Sequence, residues 1–214
     1  MDLRVYSVSR ARKEPLVRFI REALENAGCR ILHEPDPSVA PYRFTFETPE
    51  GERLGIIVYA FFANSQPTRN RPDDEHRFQV KYSSKTGSLH HLWQDPYMLY
   101  TTLFCGIDLE SGIFVAADPI LHTPIKLPLT LEFSSKCIPE IQRKGWIAWE
   151  FEPRDGPIEI VVTGTANHFL RLARFEREAL REDTGIRHML ADRAAFDYFS
   201  LTGPIQKLPM STQL

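Results

Sequence analysis

The sequence predicts an α+β fold: a mainly antiparallel mixed sheet of about seven or eight strands, an N-terminal helix, one short central helix and two C-terminal helices. Two observations predict it. The apolar residues repeat with helical spacing near both ends of the chain but alternate with polar residues through the middle. Strand-like and helix-like segments also do not alternate along the chain, which excludes a doubly wound parallel sheet.

The helices are predicted from apolar spacing and from residues typical of helix ends. Residues 14–28 begin with Pro15 in the first turn and end at Gly28, a residue that commonly follows a helix. A short central helix is capped by Ser134 or Ser135 and ends at Gly145. Helical spacing returns over residues 166–180 and 185–199.

The strands are predicted from alternating or continuously apolar segments that are bounded by turn residues. Two long polar segments, residues 63–75 and 83–95, are predicted as loops. The predicted strands cover residues 42–48, 54–62, 76–82, 101–107, 112–117, 129–133, 146–152 and 158–163.

The chain is predicted to form one domain over residues 1–200. The last residues, 201–214, carry two prolines and no sustained period, which is typical of a tail or of a linker to a further domain. We therefore expect this chain to be the N-terminal part of a longer protein.

Charge and cysteine content exclude several classes of protein. With 26 Lys and Arg against 28 Asp and Glu, the net charge is −2, which excludes a uniformly basic domain but not a local basic surface. The three cysteines are widely spaced without a CxxC, so we expect buried thiols and neither disulfides nor a zinc ribbon. A charged N-terminus and no apolar run of roughly 18 residues predict a cytoplasmic protein without a membrane segment.

The strongest local signal for binding is the predicted strand 76–82. Arg77, Gln79 and Lys81 alternate along it and therefore share one face, where they could contact phosphates or base edges. The alternative is an exposed strand face that nearby acidic residues neutralise, among them Asp73 and Asp74. With the cations that flank the strand, the predicted nucleic-acid-binding residues are Arg69, Arg71, Arg77, Gln79, Lys81 and Lys85.

Two other charged segments are predicted to be helical. The first helix region is basic, and its side chains either contact a phosphate backbone or are simply exposed: Arg10, Arg12, Lys13, Arg18 and Arg21. In the helix that starts at residue 166, pairs such as Arg174 with Glu178 are spaced to neutralise each other on a solvated face. Asp118 is predicted to be a strand-end residue.

The Gln79-Val80-Lys81 segment resembles the Q-x-K variant of the PD-(D/E)XK nuclease core. That resemblance implies a Mg²⁺-dependent nuclease in which Asp74, Gln79 and Lys81 are the catalytic residues and the metal polarises the phosphate. The pattern departs from the family at its acidic residue. Asp74 is too close to Gln79 to lie on a separate strand, and residues 54–62 contain no carboxylate.

A second resemblance covers more of the chain. Residues 71–82 and 106–119 resemble the N-terminal regions of bacterial proteins related to restriction systems. This resemblance implies that the present chain recognises DNA and that an endonuclease domain lies elsewhere.

Three hypotheses follow. The first is a DNA-binding module of a bacterial restriction or defence protein, with DNA as its partner and no cofactor. The second is the nuclease, which would need Mg²⁺, and the third is a domain that binds a protein or a small ligand. No Walker-type GxxxxGK[ST], GxGxxG or HExxH occurs, so no nucleotide cofactor or metal site is predicted. The oligomeric state and the DNA sequence recognised are left open.

Overall fold

A computed structural model describes the backbone of residues 3–64, 75–79, 89–123, 125–126, 130–152 and 156–202. Side chains are described for residues 3–63, 91–123, 134, 136–152 and 156–193. Within these residues, no helix has the length and apolar character needed to cross a membrane.

The described residues form four helices, at the places the sequence predicts. The apolar residues whose spacing predicts α1 are buried. The helix ends just before Gly28, whose positive φ of 80° suits glycine. α2 likewise ends at Gly145, with φ 77°. Short 3₁₀ turns precede α2 and α3. The helices are α1 (Arg10–Asn26), α2 (Ile138–Lys144), α3 (Phe169–Glu178) and α4 (Thr184–Thr202).

Most strands of the described backbone join one large sheet. Its nine strands are β2 (Arg30–His33), β4 (Tyr42–Glu47), β5 (Arg53–Asn64), β6 (Glu75–Gln79), β8 (Tyr100–Asp108), β9 (Ile113–Ala117), β11 (Thr130–Ser134), β12 (Trp146–Phe151) and β13 (Glu159–Thr165). Two small pairs lie outside it: β1 (Tyr6–Ser7) with β3 (Val39–Ala40), and β7 (Leu89–His90) with β10 (Ile125–Lys126).

The long strand β5 organises the sheet. On one side it pairs in parallel with β8, and the order then continues through β9, β13 and β12. On its other side it pairs first with β4, as far as Val58, and then with β6, from Ala63. Every described pairing except β5 with β8 is antiparallel. The predicted α+β class with a mainly antiparallel mixed sheet is confirmed.

The helices cover the two faces of the sheet unequally. α1, α3 and α4 pack on one face, where Phe114 makes edge contacts with Trp146 and Phe169. On the other face, α2 and residues 91–95 cover β8, β9 and β13, with Ile141 and Leu92 buried. Among the described residues, no helix covers this second face over β2 and β4.

Two expectations need correction. The short strands β1, β2, β3, β7 and β10 were not predicted, because two to four residues carry too little alternation to be recognised, and β7 lies within the predicted loop 83–95. Cys29 and Cys105 are buried as expected, but Cys137 is exposed because it lies in the surface turn before α2.

Candidate nucleic-acid interface

The predicted binding strand is present as β6, and the structure describes its backbone. Arg77 lies opposite Glu132 on β11 and Asn64 on β5, and Gln79 lies opposite Thr130. A carboxylate residue directly across an antiparallel pair is the arrangement that neutralises a charged strand. Five of the predicted site residues lie outside the described residues: Arg69, Arg71, Asp74, Lys81 and Lys85.

The nuclease hypothesis finds no additional support among the described residues. β5, the strand before β6, carries no carboxylate along its twelve residues. The described part of the chain also contains no group of three His, Cys, Asp or Glu residues arranged to hold a metal ion. Because Asp74 and Lys81 lie outside the described residues, the hypothesis stays a prediction.

Three of the basic residues of α1 line a groove of about 530 Å³ between the helix and residues 34–37. Three arginines and three carboxylates line it, so its charges balance: Arg10, Arg18 and Arg21 with Glu14, Glu34 and Asp36. Lys13 points elsewhere, over the rings of Phe61 and Phe62 at 5.6 and 5.3 Å. Burial and the neighbouring Arg12 lower the pKa of Lys13. The first helix is therefore a weaker phosphate site than its sequence indicates.

A better cationic surface lies on the uncovered part of the sheet, over β2, β4 and β5. On β4, the residues Arg43, Thr45 and Glu47 alternate with the buried aromatic side chains of the helix-covered face. Their neighbours across the strands complete what we call the open face: Arg30, Arg43, Thr45, Glu47, Arg53 and Tyr100.

Glu47 holds two arginines of the open face side by side. Its carboxylate accepts hydrogen bonds from Nη2 of Arg30 at 3.1 Å and from Nε of Arg53 at 3.3 Å. These bonds lower the pKa of Glu47. The arginine side chains are 66% and 73% exposed. Arg43 is also exposed and, among the described residues, has no carboxylate within 4.0 Å. Three cations therefore face solvent against one carboxylate.

Gly55 shapes the centre of the open face. The ring of Tyr100 lies over this glycine, and a Cβ placed there would be 2.7 Å from the ring. The absence of a side chain lets the Tyr100 hydroxyl reach within 3.5 Å of Oγ1 of Thr45. An aromatic ring is thus fixed between the arginine-bearing strands.

Next to the open face, the loop before β8 exposes three consecutive large apolar side chains. Tyr97, Met98 and Leu99, here called the 97–99 tip, are 81%, 58% and 71% exposed. Buried Asp95 fixes the loop, because its carboxylate accepts the N–H groups of Tyr97, Leu99 and Tyr100 at 2.9–3.0 Å. Met98 has a positive φ of 55°, a conformation that such a residue seldom adopts.

At the other end of the sheet, charged groups are buried together. Arg187 of α4 lies 3.0 Å from Glu176 of α3 and 3.1 Å from Asp118, which follows β9. Glu159 of β13 contacts His122 at 2.9 Å. Burial raises the pKa of Glu176 to about 7, with Arg187 opposing the rise. These five residues are called the ion cluster; four of them are buried and His122 is 14% exposed, so the cluster presents little surface to a macromolecule.

The ion cluster corrects the predicted pairing on the helix after residue 166. Glu176 is buried against α4, whereas a solvated face was expected. Arg174 and Arg177 pair with Glu50 and Glu52 of the β4–β5 turn. Helical spacing identifies which residues could pair within a helix, but it carries no information on partners from other elements.

Sequence reasoning missed the open face and the 97–99 tip. Arg30, Arg43 and Arg53 come from three strands, and only the alternation of β4 signalled that Arg43 points away from the core. The tip had a stronger signal, since three large apolar residues follow Asp95 and Pro96 inside a turn segment.

Within the part of the chain that the structure describes, the fold is an α+β module in which the sheet face over β2 and β4 carries arginines and has no helix packed on it. The chain belongs to the family described as methylase-associated X1, which matches residues 54–173, more than half of its length. The match includes the tip and the β5–β8 pair and begins directly after Arg53. No curated protein and no solved structure matches the chain.

Proposed function

We propose that this protein is a DNA-recognition module that works with a methylase of a bacterial restriction-modification or defence system. The observation that carries the proposal is the open face, where three exposed arginines face solvent against one carboxylate. The family description, methylase-associated, supports DNA as the ligand because such a partner acts on DNA.

The chemistry of the open face suits a phosphate backbone. A guanidinium offers a planar fork of donors that matches two phosphate oxygens. Glu47 holds Arg30 and Arg53 through hydrogen bonds, which reduces the conformational entropy they lose on binding. Phosphate contacts of this kind position a protein on DNA without specifying a sequence. Base recognition would then come from other groups.

The residues predicted from the sequence remain part of the proposal as a second contact region. Arg77 and Gln79 lie on β6, which pairs with the end of β5 that is remote from Arg53. Arg69, Arg71, Lys81 and Lys85 would bind DNA together with them. Cleavage is assigned to a domain outside this chain, so this protein itself would need neither Mg²⁺ nor another cofactor.

The test is duplex DNA binding by fluorescence anisotropy across a series of salt concentrations. We expect the double variant R43A/R53A to bind about tenfold or more weakly at low salt, because two phosphate contacts are lost. The slope of log affinity against log salt should fall by about 2, since each contact contributes about 0.9.

The matched control is K136A/R143A, which removes two exposed cations on the α2 side of the molecule. It changes net charge equally, so an equal loss of affinity in both variants would contradict the open face as the binding site. Absence of wild-type binding at low salt would overturn the proposal as a whole.

Two further variants separate the alternatives. If R77A/K81A weakens binding and R43A/R53A does not, the contact region is β6 and not the open face. Plasmid cleavage by the pure protein with Mg²⁺, abolished in Lys81→Ala, would favour the nuclease hypothesis instead.

A further inference from the structure

The side chains of the 97–99 tip are large and apolar, yet they are exposed and not packed in the core. Tyr97, Met98 and Leu99 place three large apolar side chains in water next to one another. Contiguous exposed apolar surface of this kind marks an interaction site in a soluble protein.

The tip is held rigidly, which distinguishes it from an unstructured loop. The carboxylate of Asp95 accepts three backbone N–H groups within the tip and at its end, and the N–H of Met98 is bonded to the Asp95 carbonyl at 3.1 Å. Asp95 thus holds the backbone of residues 97–100 through its carboxylate and its carbonyl. A preformed protrusion loses little conformational entropy when it inserts into a ligand.

The position of the tip indicates what that ligand is. Leu99 and Tyr100 lie against Gly55, with the Leu99 carbonyl 3.0 Å from the site of a glycine Cβ. Gly55 is two residues from Arg53, so the tip stands at the same end of the sheet as the paired arginines Arg30 and Arg53. A protruding apolar group beside cations complements a ligand that has apolar faces and a negatively charged backbone.

We propose that the 97–99 tip inserts into DNA and unstacks bases while the open face binds the flanking phosphates. This inference rests on the proposed DNA-binding function and assigns its base-contacting element. Apolar side chains such as Leu and Met inserted at a base step separate the bases and bend the duplex, and a tyrosine ring stacks on an exposed base. Unstacking costs a few kcal/mol per step, which the phosphate contacts would offset.

The experiment uses a short duplex in which 2-aminopurine replaces adenine at several positions in turn. The fluorescence of 2-aminopurine is quenched by stacking, so insertion of the tip should raise it severalfold at saturating protein. The variant Y97S/M98S/L99S keeps Asp95 and should still bind the duplex with the wild-type salt slope. We expect it to lose the fluorescence rise.

The control variant L109S/M189S replaces two exposed apolar residues elsewhere and should keep the wild-type signal. Circular dichroism verifies that each variant is folded, and the single variant Leu99→Ser provides a milder change that should reduce the rise in part.

The outcomes separate this inference from the proposed function. If the wild-type protein does not bind DNA, the proposed function fails. If it binds without a fluorescence rise at any position, or if the tip variant keeps the rise, insertion is wrong while DNA binding stands.

Discussion

The open face and the ion cluster use the same chemical groups in opposite surroundings. In the open face one carboxylate, Glu47, binds two arginines, Arg30 and Arg53. In the ion cluster two carboxylates, Glu176 and Asp118, bind one arginine, Arg187. The side chain of Arg53 is 73% exposed and that of Arg187 is 3% exposed. Burial, and not residue type, therefore decides which arginine is available to a ligand.

The two regions also differ in what they contribute to stability. An exposed ion pair contributes about 0–1 kcal/mol, because water solvates the separated charges nearly as well. In the ion cluster, Arg187 joins α4 to α3 and to the end of β9, and its Nη1 also donates to the Ala179 carbonyl. Removing it leaves buried carboxylates without their counter-charge.

The largest expected effect is therefore that of Arg187→Ala. We expect the free energy of unfolding to fall by about 3–5 kcal/mol, measured by urea denaturation. Arg53→Ala is the exposed counterpart and should change it by less than about 1 kcal/mol. Similar losses in the two variants would contradict the distinction between the regions.

A smaller effect is expected from pH. Burial raises the pKa of Glu176 from 4.5 to about 7, so between these values the folded protein holds a proton that the unfolded chain releases. Stability is therefore expected to fall as pH rises from about 5 to 7, by up to about 1.4 kcal/mol per pH unit.

Three charged neighbours face Glu176 in the cluster: Asp118, Glu159 and Arg187. The variant Glu176→Gln keeps the shape of the side chain but cannot titrate, so its urea-denaturation profile should lack this pH dependence. An unchanged slope in that variant would assign the dependence to another group.

The smallest expected effect is that of Glu47→Gln on the open face. Stability should change by less than about 1 kcal/mol, because the ion pairs lost are exposed. Under the proposed function, DNA should bind severalfold more tightly, since a carboxylate that repels phosphate is removed. Weaker binding in the anisotropy assay would contradict this prediction and show that the ordering of Arg30 and Arg53 by Glu47 contributes more to affinity than its negative charge removes.

The elements could be predicted from sequence because their signals are local. The apolar spacing that predicts α1 lies within one continuous segment of the sequence, and so does the alternation of apolar and polar residues that predicts β4. The structure shows both elements. The tertiary sites could not be predicted in this way. The ion cluster assembles Asp118, Glu159, Glu176 and Arg187 from four elements, and no spacing in the sequence relates them.

The two candidate DNA-binding surfaces, β6 and the open face, also differ in how local their sequence signals are. A run of cations in the sequence predicts a binding site at β6, but the register places Glu132 opposite Arg77. The arginines of the open face are separated along the chain and meet only when β2, β4 and β5 pair. Local charge density is visible in a sequence, but exposure and neutralisation depend on strand pairing.

The parallel pairing of β5 with β8 has a consequence for how this protein can diverge. Residues 65–99 separate the two paired strands along the chain. Doubling the length of such a connection raises the entropy cost of closing it by only about 0.6 kcal/mol. An insertion between β5 and β6 should therefore cost the sheet little free energy, whereas replacing β6 would remove the strand that joins β5 to β11.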